Sequence, residues 1–135
     1  MRKVRNLILA FLFALFISLN ANANTYQMRA TYYIPGHGCG WVTASGDRIN
    51  LQKLKNFQIR WVALSPDMFR NHGFKMGDII EVITDEKELA GLWIVKDKSA
   101  ESNRKHIDFL FAKAAKFGTC KVQIRKVGNE KNNPN

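Results

Sequence analysis

The pattern of polar and apolar positions along this chain is mostly that of β-strands. Residues 27–34 alternate and carry aromatic and β-branched side chains, which predicts a first strand. The same kind of pattern predicts further strands over 58–64, 78–84, 90–96 and 119–127. A shorter apolar segment, 107–111, lies between the last two of these strands.

Two short helices are predicted between the strands. Ser65 can cap a helix, Pro66 suits the first helical position, and Gly73 can take the left-handed conformation that ends it. Residues 112–117, followed by Gly118, predict one or two further helical turns. Many short strands with two brief helices favour a mainly β fold, and a small barrel rather than a helical bundle.

The first 23 residues have the pattern of a secretory signal peptide. Basic residues at positions 2, 3 and 5 precede an apolar run over 7–19, and an Ala-Asn-Ala sequence ends at residue 23. The run is too short to be a comfortable permanent membrane anchor. We therefore expect cleavage after Ala23 and a soluble periplasmic or secreted monomer. Its barrel domain would cover 24–127, and a flexible polar tail would cover 128–135.

The chain is strongly basic, with a formal net charge of +10 over 135 residues. Removing residues 1–23, which hold three basic residues and no acidic one, leaves +7. Such a charge favours an anionic partner such as a cell-wall polymer, a lipid headgroup or nucleic acid. The basic residues are scattered, so solubility explains them equally well. No recognisable nucleic-acid motif is present, and we expect no nucleic-acid partner.

Two cysteines follow the predicted cleavage site, Cys39 and Cys120. In an exported protein they favour a disulfide, which would close most of the domain and add roughly 3–5 kcal/mol. The alternative is a metal site, since His37 lies two residues before Cys39. One histidine and one cysteine fall short of a structural zinc set, so we expect no metal and no cofactor.

Two aspartates are the leading candidates for chemistry. Asp97 follows the apolar residues 92–95, and Asp108 lies within the apolar segment 107–111. Burial against apolar surface disfavours the charged carboxylate and raises its pKa toward that of a general acid. The alternative is that both aspartates cap turns and accept hydrogen bonds from backbone N–H groups.

Several segments, taken in order, resemble the 3D domain, which is named for three aspartates. They are residues 61–68, residues 76–82, Asp97 and residues 107–111. At the place of the first family aspartate this chain has Ser65, with Asp67 two residues further on. The family is related to rare lipoprotein A, to murein transglycosylase A, and to the barwin and expansin barrels. The resemblance implies a six-stranded double-psi β-barrel.

The resemblance also implies a function, peptidoglycan lytic transglycosylase-like cleavage of glycan strands. Asp108 would be the acid/base, and Asp97 would orient the site or raise the pKa of Asp108. Candidate substrate contacts are Ser45, Ser65 and His106, and Asp67 is expected on a helix surface.

The alternative is an expansin-like module that binds peptidoglycan or another polysaccharide without cleaving it. Exposed aromatic side chains could then form a platform for sugar rings, with Trp41 as the first candidate. Trp61 and Trp93 lie within apolar strands, and we expect them in the core.

Overall fold

A computed structural model of the protein describes residues 24–132, so the predicted signal peptide lies outside the described residues. Among the described residues there are six strands: β1 (Thr25–Tyr33), β2 (Trp61–Leu64), β3 (Asp78–Ile83), β4 (Gly91–Lys98), β5 (His106–Leu110) and β6 (Cys120–Asn129). There are two short α-helices, α1 (Leu51–Lys55) and α2 (Pro66–Asn71), and a 3-10 turn at Glu130–Asn132. The prediction of a mainly β protein with two short helices is confirmed.

The six strands close into a barrel in the order β1-β5-β2-β4-β3-β6. Two of the pairings are parallel, β1 with β5 and β2 with β4, and the others are antiparallel. Closure gives each strand two neighbours, which removes the exposed edges that would otherwise invite pairing with another chain.

Large side chains fill the barrel interior. Trp93 and Phe109 meet there with ring centroids 4.8 Å apart in a T-shaped arrangement. The remaining inward residues are mostly aliphatic, among them Met28, Ala30, Val62, Leu64, Ile80, Val82, Val95, Ile107, Val122 and Ile124. Even an eight-stranded barrel is only just wide enough for its own side chains. A binding site is therefore expected on the outer surface or at a rim.

The two predicted core tryptophans differ in burial. Trp93 is 2% exposed, as predicted, and its indole N–H donates to the carbonyl of Leu89 at 2.7 Å. Trp61 is only partly buried and packs against a smaller cluster formed by Ile49, Leu54 and Leu110. Trp61 was predicted in the core, and it packs instead at the edge of this smaller cluster with part of its surface exposed.

One predicted helix is confirmed and the other is wrong. Helix α2 forms where Ser65 and Pro66 predict it. Residues 112–117 have no helix, because Phe111 and Phe117 both pack into the core cluster with centroids 6.2 Å apart. So short a segment gains too few hydrogen bonds to outweigh this packing. Helix α1 forms instead, capped by the Asn50 side chain, which accepts from the N–H of Lys53 at 3.0 Å.

The chain stays ordered beyond the predicted domain end at Val127. Strand β6 continues to Asn129, and the N–H of Glu130 donates to the carbonyl of Gly77 at 2.9 Å. The Glu130 carboxylate also pairs with Lys96 at 2.6 Å. Residues 128–132 therefore belong to the barrel, contrary to the prediction of a flexible tail from 128. Residues 133–135 lie outside the described part.

Cys39 and Cys120 are both free, so the predicted disulfide is not present. Cys39 lies in the loop after β1, where its Sγ contacts the carbonyl of Ile34 at 3.1 Å. Cys120 begins β6 and pairs with Ala30 in the middle of β1. Within residues 24–132, no helix is long and apolar enough to cross a membrane.

Replacing Phe109 with alanine tests the packed interior. Phe109 is 0% exposed, so we expect Phe109→Ala to lower the free energy of unfolding by about 3–5 kcal/mol. Phe57→Ala is the matched control, since Phe57 is 66% exposed, and should change it by about 0.5 kcal/mol or less. Urea denaturation measures both. Equal losses for the two variants would contradict this assignment of the core.

Candidate active site

A row of outward-facing residues crosses four neighbouring strands of the barrel. Thr31 of β1 pairs with Asp108 of β5, Asp108 pairs with Ala63 of β2, and Ala63 pairs with Asp97 of β4. Because adjacent strands lie roughly 4.8 Å apart, the Cα atoms of the two aspartates are separated by about 10 Å. Between them Ala63 presents only a methyl group. The predicted pair of carboxylates therefore shares one face of the barrel.

A β-bulge in β4 brings Asp97 to this face. Val62 pairs with Val95, but the next residue, Ala63, pairs with Asp97, so Lys96 is an extra residue in β4. Val95 points into the core, and strict alternation would also turn Asp97 inward. The extra residue reverses the alternation and places the carboxylate beside Ala63 on the outside.

Three hydrogen bonds engage the Asp97 carboxylate. Its Oδ1 accepts from the backbone N–H groups of Ala44 and Lys98, each at 2.9 Å. Its Oδ2 accepts from the hydroxyl of Tyr33 at 3.2 Å. Burial, followed by the charge of Asp97, raises the pKa of Tyr33 far above its ordinary value, so the phenol stays protonated and remains a donor. Asp97 thus fixes the loop that contains Ala44 to the strand face.

Asp108 has a different environment. The hydroxyl of Thr31 donates to Oδ1 at 2.8 Å, and no hydrogen bond to Oδ2 is found within residues 24–132. Burial raises the pKa of Asp108 and the charge of Asp97 adds to this effect, while the Thr31 hydrogen bond opposes it. A half-buried carboxyl group with a raised pKa and one uncommitted oxygen has the properties of a general acid.

Two predicted substrate contacts are buried instead. Ser65 is 0% exposed, and its hydroxyl oxygen accepts from the backbone N–H of His106 at 2.9 Å. His106 is 5% exposed, and its Nε2 lies 2.6 Å from the Thr31 hydroxyl. Neither side chain can reach a bound glycan directly. His106 can influence the site only through Thr31.

Asp67 is also buried rather than lying on the helix surface. Its Oδ2 accepts from the backbone N–H of Lys105 at 3.0 Å. Burial alone would raise the pKa of Asp67, but hydrogen bonds from Ser65 and Lys105 outweigh it and lower the pKa. Asp67 therefore holds the start of β5 in place and does not join Asp97 and Asp108 at the site.

The remaining two predicted contacts lie in the segment between β1 and α1. Ser45 is half-buried, and its hydroxyl donates to Oδ2 of Asp47 at 2.6 Å, so it shapes the loop beside Asp97. Trp41 is 38% exposed, and a Cβ at Gly36 would lie only 3.5 Å from its ring. The ring therefore packs over Gly36 and keeps an open face for a ligand.

Sequence reasoning missed Thr31 as a member of the site, and for the tyrosines it predicted only that one of Tyr32 and Tyr33 faces outward. Thr31 and Tyr33 both lie in β1 on the same side as Asp108, whereas Tyr32 between them packs toward Phe111 and Phe117 in the core. Alternation in β1 separates Tyr32 from its two neighbours, but only the pairing of β1 with β5 shows which side carries the carboxylates. Among residues 24–132, no group of three potential metal ligands comes together.

No protein-family profile matches the chain, and no curated protein matches its sequence. Solved structures do resemble it. An apo expansin of Clavibacter michiganensis has 16% identity and a TM-score of 0.54, and a mutant of it in complex with cellohexaose has 17% and 0.54. Each comparison covers 77% of this chain and 50% of the expansin, so the chain spans about half their length.

A third structure, the Streptomyces papain inhibitor, has 18% identity and a TM-score of 0.51, and the comparison covers 77% of this chain and 94% of the inhibitor. At such low identity these likenesses concern the fold alone. They agree with the closed barrel of six strands and confirm the prediction of a six-stranded double-psi β-barrel.

The environment of Asp108 predicts a particular pH dependence of stability. Because its folded-state pKa is raised, ionisation costs more in the folded than in the unfolded protein. The protonated carboxyl group of Asp108 therefore contributes to stability below its unfolded-state pKa. This contribution is lost as the pH rises through its folded-state pKa. The Asp108→Asn variant lacks this loss. Its free energy of unfolding, relative to wild type, should therefore increase with pH in urea denaturation from about pH 3 to pH 8.

Asp67→Asn is the matched control with the opposite sign. The lowered pKa of Asp67 contributes stability above the ordinary aspartate range, and that contribution is lost as pH falls through the folded pKa. This variant should be less stable than wild type at neutral pH, with a difference that shrinks in acid. The same pH trend for both variants would contradict the assigned environments.

Proposed function

We propose that this protein is an exported domain that acts on cell-wall polysaccharide, with Asp108 as the single acid/base in lytic cleavage of glycan strands. One observation carries the proposal. Two carboxylates share an outer face of the barrel, and only Asp108 combines a raised pKa with an oxygen that lacks a hydrogen-bond partner in the described chain. Export by the predicted signal peptide and a monomeric state belong to the same proposal.

The contacts of Asp97 argue against two-carboxylate hydrolysis. That reaction needs a second carboxylate as a nucleophile or as a base for water. Asp97 already accepts three hydrogen bonds from Ala44, Lys98 and Tyr33. Turning it toward a sugar would break these contacts, so its role here is to position the loop and to disfavour ionisation of Asp108.

A lytic reaction needs only one titrating carboxyl group. Protonated Asp108 donates its proton to the glycosidic oxygen as the bond from that oxygen to C1 breaks. The resulting carboxylate then takes the proton of the muramoyl 6-hydroxyl, and the 6-oxygen bonds to C1 to close an anhydro ring. No water is consumed, and Asp108 ends protonated and ready for another turnover. The basic mature chain, at +7, suits an anionic wall polymer.

A second candidate function is binding without cleavage. It is favoured by the likeness to an expansin whose structure was solved in complex with cellohexaose. It is also favoured by Trp41, whose 38% exposed ring could stack on a sugar ring beside the loop that Asp97 holds. In this case Asp108 would contact a sugar hydroxyl as a hydrogen-bonding group.

Asp108→Asn separates the two functions. The amide keeps the shape of the side chain but cannot donate an acidic proton, so cleavage should fall by roughly a hundredfold or more. Mass spectrometry of peptidoglycan incubated with the protein, with anhydromuramyl ends as the product, measures this. Asp97→Asn is the comparison, and we expect a smaller loss. Cleavage by Asp108→Asn at the wild-type rate would rule out the catalytic role.

Trp41→Ala tests the contact with the polymer. Loss of the exposed ring should weaken sedimentation of the protein with insoluble peptidoglycan several-fold, because the stacking surface is gone. Phe57→Ala is the matched control, since Phe57 is an exposed aromatic residue that follows α1 in the chain. Equal binding by wild type and Trp41→Ala would exclude Trp41 as a sugar platform.

A further inference from the structure

The hydroxyl of Thr31 connects a buried histidine to the candidate acid. Its Oγ1 lies 2.6 Å from Nε2 of His106 and 2.8 Å from Oδ1 of Asp108. A hydroxyl has one proton to donate and lone pairs with which to accept. When Asp108 is ionised, its carboxylate can only accept, so Thr31 must donate to it. The Thr31 oxygen must then accept from His106, which places the ring proton on Nε2.

The other ring nitrogen of His106 supports this tautomer. Nδ1 is buried and has no hydrogen-bond partner within residues 24–132. A buried N–H group without a partner is rarer in proteins than an acceptor without one. The surroundings therefore favour a bare Nδ1 and a proton on Nε2. The backbone N–H of His106 is bound by Ser65, and this contact holds the start of β5 in place.

This tautomer restricts where Asp108 can carry its own proton. A proton on Oδ1 would have to be donated to Thr31, and Thr31 would have to turn and donate to His106. Nε2 would then be bare, and the ring proton would move to Nδ1, where nothing accepts it. A proton on Oδ2 leaves every existing hydrogen bond intact.

We propose that His106 is a positioning residue which, acting through Thr31, confines the acidic proton of Asp108 to Oδ2. That oxygen lacks a hydrogen-bond partner in the described chain, so its proton is available to a substrate. The inference rests on the proposed role of Asp108 as the acid. It adds that the choice between the two carboxyl oxygens is made outside the substrate site, by a buried imidazole.

The charged groups around His106 agree with a neutral ring. Arg29 of β1 pairs with it across the strands, Lys105 precedes it, and Asp67 of α2 binds the backbone of Lys105. Asp108 lies beyond Thr31 on the same strand as His106. Burial, followed by the charge of Arg29, lowers the pKa of His106. The ring therefore stays neutral at neutral pH, as the tautomer argument requires.

The tautomer can be measured directly in the purified wild-type protein. Nitrogen-15 chemical shifts distinguish a protonated Nε2 from a protonated Nδ1. We expect the neutral His106 ring to carry its proton on Nε2 at neutral pH, where burial keeps the ring neutral. A neutral ring with its proton on Nδ1 and a bare Nε2 would overturn the proposal.

Two substitutions of His106 test its effect on Asp108. His106→Phe cannot donate to Thr31, which frees the hydroxyl to accept a proton carried on Oδ1. Without the His106 donor, the Thr31 hydroxyl is a weaker donor to the ionised carboxylate, while the neutral acid can donate from Oδ1 to Thr31 instead. The pKa of Asp108, as followed by the carbon-13 shift of its carboxyl group, should therefore rise by roughly one pH unit. His106→Gln keeps an N–H donor near Nε2 and should retain the wild-type titration. An unchanged titration in folded His106→Phe, or equal shifts in both variants, would overturn the proposal.

These outcomes are independent of the proposed function. Measurements of the His106 tautomer and of the Asp108 titration need no substrate. They can therefore confirm the effect of His106 on Asp108 even if Asp108→Asn has no effect on cleavage. If His106→Phe does not fold, as judged by its thermal transition, the wild-type tautomer still decides. If cleavage depends on Asp108 while the ring proton lies on Nδ1, the acid remains and the positioning role of His106 is lost.

Discussion

The candidate site depends on a single extra residue in β4. Because Lys96 is inserted between the pairs Val62–Val95 and Ala63–Asp97, the alternation of β4 reverses just before its end. Without that bulge, Asp97 would point into a core filled by Trp93 and Phe109, where an unpaired carboxylate would be very costly. With the bulge, Asp97 joins the outer row. The bulge also buries the ammonium group of Lys96, which therefore needs negatively charged partners.

Two carboxylates supply this negative charge. The Lys96 side chain is 9% exposed and pairs with Asp47 at 3.0 Å and with Glu130 at 2.6 Å. Burial of the ammonium group would lower the pKa of Lys96, but these partners outweigh it and raise the pKa. Asp47 belongs to the loop whose Ala44 N–H binds Asp97. The same bulge therefore turns Asp97 outward and anchors the loop whose Ala44 N–H donates to the Asp97 carboxylate.

Five of the six strands were predicted from sequence, because their apolar and β-branched residues lie between turn residues. Strand β5 was predicted only as a short apolar segment, because it is buried on both sides and does not alternate. The helices were harder. Helix α1 buries only Leu54, so it has almost no apolar period to detect. Residues 112–117 have good helix formers, yet the packing of Phe117 in the core overrides that propensity. In segments this short, the helix propensity of the residues has little influence on whether a helix forms.

The two aspartates were predictable as a pair because both interrupt apolar runs. The proposed division of roles between them followed only from the family resemblance, since the contacts that distinguish the two carboxylates come from residues that are distant in sequence. Asp97 receives the N–H of Ala44, 53 positions away, and Asp108 receives the hydroxyl of Thr31, 77 positions away. The burial of Ser65 and His106 could not be predicted from sequence for the same reason. Their bonds to each other follow from the approach of the α2 start to β5.

Placing the acid within a strand, rather than in a loop, has a functional consequence. Asp108 is held on both sides by β1 and β2, so its oxygens are fixed as firmly as the barrel itself. The loops then need only supply a surface for the polymer, as exposed Trp41 can. Since the interior is filled by the core, the glycan that we propose as substrate can meet Asp108 only by lying across the outside. An outer-face site of this kind suits a polymer better than a small molecule, which would need enclosure to be held.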